Sequence, residues 1–170
     1  IIYDGKKIHE TNLTTPEPHE INRSLSLLSK KGCKKAVFEA SSIGLDQNRL
    51  FPFKFNKVVF TNLTIDHLDY HKSFKKYKHS KGLLFEDHTD NNSLAIIYAD
   101  SKYSKFFSEI CKKKKIEIID FGKKANFLKI IKIKKSDELF NVFLSIEKKK
   151  FNIFFESFSV YEIYNKICAL

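Results

Sequence analysis

Hydrophobic and polar positions change their period several times along this chain, and each change marks an element. Between Pro18 and Lys31, the residues Ile21, Leu25 and Leu28 recur at helical spacing, with Pro18 suited to a first turn and Gly32 to a stop. "KKAVFEASS" (34–42) and "KVVFTNL" (57–63) are short apolar runs ending in polar residues, as expected of strands buried on both faces of a parallel sheet. The intervening "IGLDQNRLFPFKF" (43–55) is too short, and too broken by Pro and Phe, for a regular helix. A helix from about Ser73 to Phe85 is predicted next, then strand "LAIIYAD" (94–100), a helix over 101–114 and strand "IEIIDFG" (116–122). Strand alternating with helix predicts an α/β domain, a mostly parallel sheet flanked by helices. From Ala125 to Phe155 the period shortens to strand-like alternation between polar turns, which predicts a small antiparallel sheet appended in the C-terminal third. "YEIYNKICAL" (161–170) begins another helix, and no internal repeat is visible.

Composition narrows this picture. With 170 residues and 42% hydrophobic content the chain suits one domain with one core. No apolar run reaches membrane-spanning length and no signal peptide opens the chain, so no membrane partner and a cytoplasmic location are expected. Cys33, Cys111 and Cys168 are widely spaced, cannot all pair and show no metal spacing; they read as core thiols of a reducing compartment. Methionine is absent, so residue 1 is no translation start and the chain reads as a fragment or processed piece. The net charge of +11 invites a nucleic-acid reading. Against it, Arg23 and Arg49 are the only arginines, and phosphate and base recognition favours the arginine fork. The lysine runs read as solvated faces, and no nucleic-acid partner is expected.

Three stretches carry candidate chemistry. "TNLTIDHLDYH" (61–71) crowds Asp66, His67, Asp69, Tyr70 and His71 behind an apolar run. Loops after the carboxyl ends of parallel strands form ligand crevices, and Glu39 ends the preceding predicted strand. If the two strands are neighbours, Glu39 and His67 share one rim, where carboxylate and imidazole could hold a divalent metal. Helix capping by Asp66 and Asp69, with His67 and His71 at the surface, is the plainer alternative. In "SFKKYKHSKGLLF" (73–85) the positions Phe74, Tyr77, Lys81 and Leu84 share a helical face. A lysine on such a stripe has a lowered pKa and needs a partner or a modification, unless it extends its ammonium to the edge. "SSIGLDQNR" (41–49) and "TTP" (14–16) add hydroxyl, amide and guanidinium donors suited to a polyanionic, sugar-like ligand.

Taken together, "LTTPEP", "FEASSIGLDQNR", "VVFTNLTIDHLDYH", "YKHSKGLLF" and a degraded "SVYEIYN" resemble, in order and spacing, the central domain of the Mur ligase family, and most closely its UDP-N-acetylmuramoyl-L-alanyl-D-glutamate ligase branch. The resemblance covers nearly the whole chain. It implies an ATP-dependent amide ligase of peptidoglycan synthesis, which phosphorylates the glutamyl carboxylate of UDP-MurNAc-L-Ala-D-Glu and lets the amine of a diamino acid, diaminopimelate or lysine, attack the acyl phosphate. Residue by residue, it implies magnesium on Glu39, His67 and a carbamylated Lys81, with Lys81 and His67 catalytic. It implies Thr14, Thr15, Ser41, Gln47 and Arg49 on the UDP-sugar dipeptide, Asn165 on the nucleotide cofactor, and a monomer.

Residues 1–170 then read as part of a central domain, with the UDP-binding domain, the ATP phosphate loop and the amino-acid-binding domain outside it. The family's G-K-T/S loop is expected upstream of residue 1. Ile43 stands where many relatives have His, Ser159 replaces a glycine, and Tyr98 and Ser101 replace an Asn and an Asp. Sibling ligases, folylpolyglutamate synthase and a non-catalytic binding module are the competing readings.

Overall fold

The computed structural model describes residues 2–3, 6–7 and 11–170. They divide into two compact units, Ile1–Lys54 with Asp66–His88, and Phe55–Ile65 with Thr89–Leu170.

The first unit holds an antiparallel pair, β1 (Ile2–Tyr3) and β2 (Lys6–Lys7), and four helices: α1 (Pro18–Lys30), α2 (Ser42–Asp46), α3 (Leu68–His71) and α4 (Phe74–Glu86). Helix α1 starts as predicted. Pro18 occupies the first turn, where its missing N–H costs nothing, and Glu20 accepts from the Glu17 N–H at 3.3 Å. Gly32, at φ +83°, follows the helix in the left-handed region. Ser73 caps α4 by accepting from the Lys76 N–H at 3.2 Å. The buried line of α4 runs through Tyr77, Ser80 and Phe85, one position away from the predicted stripe at its centre. Lys81 is half-buried on the margin of that line.

The predicted strand at 34–42 does not form. Residues 33–40 have no ladder, and Val37 is 99% exposed. An apolar, β-branched run is compatible with a strand, but its backbone groups need a neighbouring strand, and no described strand pairs with this one. Glu39 therefore leaves a loop rather than a strand end.

The second unit is built on one six-stranded sheet. Its strands are β3 (Lys57–Phe60), β4 (Leu94–Tyr98), β5 (Glu117–Gly122), β6 (Leu128–Ser136), β7 (Leu139–Ile146) and β8 (Lys149–Glu156), in sequential spatial order. Pairings from β3 to β6 are parallel, and those from β6 to β8 are antiparallel. The parallel and antiparallel parts are thus one sheet, joined where Phe121 and Gly122 pair with Leu128 and Lys129. Helices α5 (Ser104–Lys113) and α6 (Val160–Cys168) complete the unit. Period-two alternation sends Phe140, Val142 and Leu144 of β7 into a core with Ile130, Ile163 and Ile167. Lys129, Lys132 and Lys134, paired with Ser145, Phe143 and Asn141, are exposed, so this part of the positive charge is a solvated surface.

Candidate functional site

The candidate residues of the first unit converge on the start of α2. Thr15 is buried, and its hydroxyl donates to the Glu39 carbonyl at 2.7 Å while accepting from the Ser41 N–H at 2.8 Å. One side chain thereby ties residues 14–16 to the loop that carries Glu39. Ser41 caps α2, its oxygen accepting from the Gly44 N–H at 3.0 Å. Gly44 must be glycine here. A Cβ would lie 2.7 Å from Thr15 Cβ and 2.9 Å from Ser41 Oγ.

Arg49 closes the loop from the other side. Its Nη1 donates to the Thr15 carbonyl at 3.0 Å, its Nη2 donates to Gln47 Oε1, and its Nε lies 3.2 Å from Glu17 Oε1, an ion contact outside hydrogen-bond alignment. Gln47 Nε2 donates to Tyr70 Oη at 3.2 Å, and Tyr70 Oη donates to Asp46 Oδ2 at 3.0 Å. The other Asp46 oxygen accepts from Ser80 Oγ at 3.0 Å, which fastens α2 to α4. Beneath these contacts His71 is buried, with Nε2 3.0 Å from Ser42 Oγ and its ring against Tyr70 and Tyr77. Burial lowers the His71 pKa below the usual imidazole value, and Asp46 opposes that effect.

Lys81 donates to the Ala40 carbonyl at 3.3 Å, next to Glu39. Its pKa is lowered from the ordinary lysine value by desolvation, against which the carboxylates of Glu39 and Asp66 act. Glu39 itself is exposed. His67 sits at φ +52°, in the left-handed region, as the residue preceding α3. That conformation is uncommon for a non-glycine residue. Its N–H donates to Asp66 Oδ1 at 2.8 Å, its Nε2 lies 3.5 Å from Asp66 Oδ2, and its ring stands edge-on to Tyr77, 6.0 Å between centroids. Lys81 therefore lies within electrostatic reach of Glu39 and Asp66, and the His67 N–H is bonded to the same Asp66. Among the described residues, no group of three or more His, Cys, Asp or Glu side chains is arranged to hold a metal ion.

Not every candidate joins this cluster. Thr14 is exposed, and its side chain makes no hydrogen bond among those described. Asn165 is exposed on α6, in the second unit. There the departures from the family pattern find local roles. Tyr98 packs on Phe121 and Tyr164, with its phenol pKa raised far above the usual value by burial, then by Tyr164 and Asp100. Ser101 Oγ accepts from the Tyr103 N–H, and Ser159 caps α6 by accepting from the Tyr161 N–H at 3.2 Å. Of the three cysteines, all free, only Cys111 is a core thiol; Cys33 and Cys168 are half-buried.

Asp46, Tyr70, Ser80 and His71 are site components that pattern reading left unassigned. Tyr70 and His71 stood in the crowded 61–71 stretch without a role of their own, and Asp46 is the one acid within "SSIGLDQNR".

This arrangement of a serine-capped turn, an arginine clamp and a desolvated lysine lies within a chain that matches the Mur ligase middle domain family over residues 1–170. The chain belongs to that family. It is 42% identical over 127 residues to the UDP-N-acetylmuramoyl-L-alanyl-D-glutamate--2,6-diaminopimelate ligase of Aquifex aeolicus (strain VF5), an overlap covering 75% of this chain and 25% of that protein. The ligase of the same name from Anaplasma marginale (strain St. Maries) is 31% identical over 161 residues, covering 94% of this chain and 34% of its own length.

Among solved structures, a UDP-N-acetylmuramoyl-L-alanyl-D-glutamate--2,6-diaminopimelate ligase superposes with a TM-score of 0.79 at 24% identity, over 88% of this chain and 31% of that one. A UDP-N-acetylmuramoylalanyl-D-glutamyl-2,6-diaminopimelate--D-alanyl-D-alanyl ligase from Acinetobacter baumannii gives 0.57 at 14% identity, over 67% and 24%. These similarities establish the Mur ligase fold, including the mostly parallel sheet with its antiparallel extension. The chain spans a quarter to a third of the length of these curated relatives.

Proposed function

We propose that this Mur ligase segment serves an ATP-dependent amide ligase that joins meso-diaminopimelate to UDP-MurNAc-L-Ala-D-Glu in the cytoplasm during peptidoglycan synthesis. What carries the reading is Lys81, half-buried beside the Glu39 loop and drawn below its usual pKa by desolvation, in a chain whose relatives bear that ligase name. The relatives' name also favours diaminopimelate over lysine.

A neutral Lys81 amine can add to the carbon of carbon dioxide. An N–C bond forms, one proton leaves to solvent, and the product is a carbamate anion. Desolvation raises the fraction of neutral amine able to add, and the carbamate anion, itself costly to bury, would be offset by a bound cation. The carboxylate of Glu39 and the carbamate oxygens of the modified Lys81 would be the hard oxygen donors that magnesium prefers, with His67 as a further, nitrogen ligand. When bound, that ion would offset negative charge on the phosphates of ATP and on the acyl phosphate. Asp66 orients His67, Thr15 holds the Glu39 loop, and Ser41, Gln47 and Arg49, with Thr14 at the rim, face the UDP-sugar dipeptide. Asn165 is assigned to the nucleotide cofactor, and the protein works as a monomer. The 170 residues contain no G-K-T/S turn, so the cradle for the ATP phosphates is not supplied by them.

The test replaces the matched segment of the Aquifex aeolicus relative with this chain and follows ATP-dependent coupling of diaminopimelate by mass spectrometry. The chimera should form product. Lys81→Ala should abolish turnover with the fold intact by circular dichroism, and acetate at high concentration should restore part of it. Lys81→Arg should not, since a permanent cation cannot become the anion. Near-normal turnover in Lys81→Arg would rule out the carbamate role.

A further inference from the structure

Gln47 has an amide whose two ends are chemically opposite, so its usefulness to a ligand depends on which end faces outward. In this structure both ends are committed. The Arg49 Nη2 donates to Oε1, and Nε2 donates to Tyr70 Oη. Tyr70 Oη can accept from Gln47 because its own proton goes to Asp46 Oδ2. Asp46 is held in turn through Oδ1 by Ser80 of α4. The chain of donors runs one way, from Arg49 through Gln47 and Tyr70 to Asp46, and an amide flip would oppose like dipoles at both ends. One hydrogen on Gln47 Nε2 remains uncommitted by this chain, as does guanidinium capacity on Arg49.

We infer that Tyr70 and Asp46 are positioning residues for the substrate loop. They fix the Gln47 amide with its nitrogen as the outward donor, ready for an oxygen-rich, anionic ligand. The inference rests on the reading that Gln47 and Arg49 hold the UDP-sugar dipeptide. It adds that the affinity of this pair depends on a phenol that does not itself touch the ligand. The Tyr70 ring stands edge-on to His71 with centroids 4.7 Å apart, a contact that phenylalanine retains. Tyr70→Phe therefore removes the relay while leaving the packing.

The test is an NMR titration with UDP-MurNAc-L-Ala-D-Glu of the chimera in which this chain replaces the matched segment of the Aquifex aeolicus relative, in wild type, Tyr70→Phe, Gln47→Ala and the double variant. Without ligand, Tyr70→Phe should shift the Gln47 side-chain amide resonances and leave the backbone spectrum dispersed. With ligand, each single variant should raise Kd by about 3- to 10-fold, the range for losing one hydrogen bond. The double variant should be no weaker than the weaker single one, because both changes remove the same interaction. A Tyr70→Phe affinity equal to wild type, with Gln47→Ala weakened, overturns the relay and leaves the substrate reading standing. Independent, multiplicative losses in the double variant do the same. A wild-type chimera whose Gln47 and Arg49 resonances ignore the ligand at millimolar concentration overturns both. Should Tyr70→Phe lose the dispersed spectrum, Asp46→Ala removes the same tether from its far end and is judged by the same criteria.

Discussion

Thr15→Val separates a structural hydroxyl from a ligand-binding one. The change keeps the β-branched shape and removes only the hydroxyl. Thr15 is 1% exposed, and that hydroxyl serves two backbone groups, the Glu39 carbonyl at 2.7 Å and the Ser41 N–H at 2.8 Å. Leaving one donor and one acceptor without a partner costs about 1–3 kcal/mol each when both are buried. Glu39 is exposed and Ser41 half-buried, so water recovers part of this, and a total of about 2–3 kcal/mol is expected. Thr15→Ser keeps both hydrogen bonds and loses one buried methyl, for about 1 kcal/mol. The order of the two variants is therefore the reverse of what loss of apolar contact alone would give. Urea unfolding followed at 222 nm should show Thr15→Val less stable than Thr15→Ser. Hydrogen exchange at the Ser41 amide should accelerate strongly in Thr15→Val and little in Thr15→Ser. If Thr15→Val proves the milder change, or if Ser41 exchanges alike in both, the hydroxyl is not the tie between these segments.

Other expectations follow from the same unit. Gly44→Ala places a Cβ within 3 Å of Thr15 and Ser41, so a loss of about 1–3 kcal/mol is expected from unfolding midpoints, and Thr15→Ser in the same chain should relieve part of it. His71 has a folded-state pKa below its unfolded value near 6.5, so the folded state binds its proton more weakly. Its contribution to stability is fully present above pH 6.5 and is lost as pH falls below that value; the drop in urea midpoint between pH 7.5 and 5.5 should be smaller in His71→Gln than in wild type. The 170-residue chain by itself should release no phosphate from ATP in the presence of magnesium, and robust turnover in a phosphate-release assay would mean that a phosphate cradle had been overlooked.

Sequence periodicity carried the four longer helices, α1, α4, α5 and α6, and most of the sheet because those signals are local, while the one-turn helices α2 and α3 are too short to show a period. Ile21, Leu25 and Leu28 recur at 3.6, Pro18 and Gly32 punctuate α1, and Phe140, Val142 and Leu144 alternate at 2.0. The ordered motifs likewise sufficed to identify the family, since "SSIGLDQNR" and "TNLTIDHLDYH" tie several residue types to fixed spacings. Whether residues 34–40 become a strand was not a local question. The run has a strand's composition, but pairing depends on a neighbour, and Val37 stands almost fully exposed. The site's internal wiring was equally hidden. Thr15 reaches a carbonyl 24 residues away, Tyr70 and Ser80 meet on Asp46 from 24 and 34 residues away, and Lys81 reaches Ala40 across 41. Hydrogen bonds between such distant residues leave no period in the chain. Composition and spacing determined which groups were available; only the packing of α2 and α4 decided that Asp46 would join the 41–49 stretch to the helix that carries Lys81, because a carboxylate selects its partners by proximity and geometry.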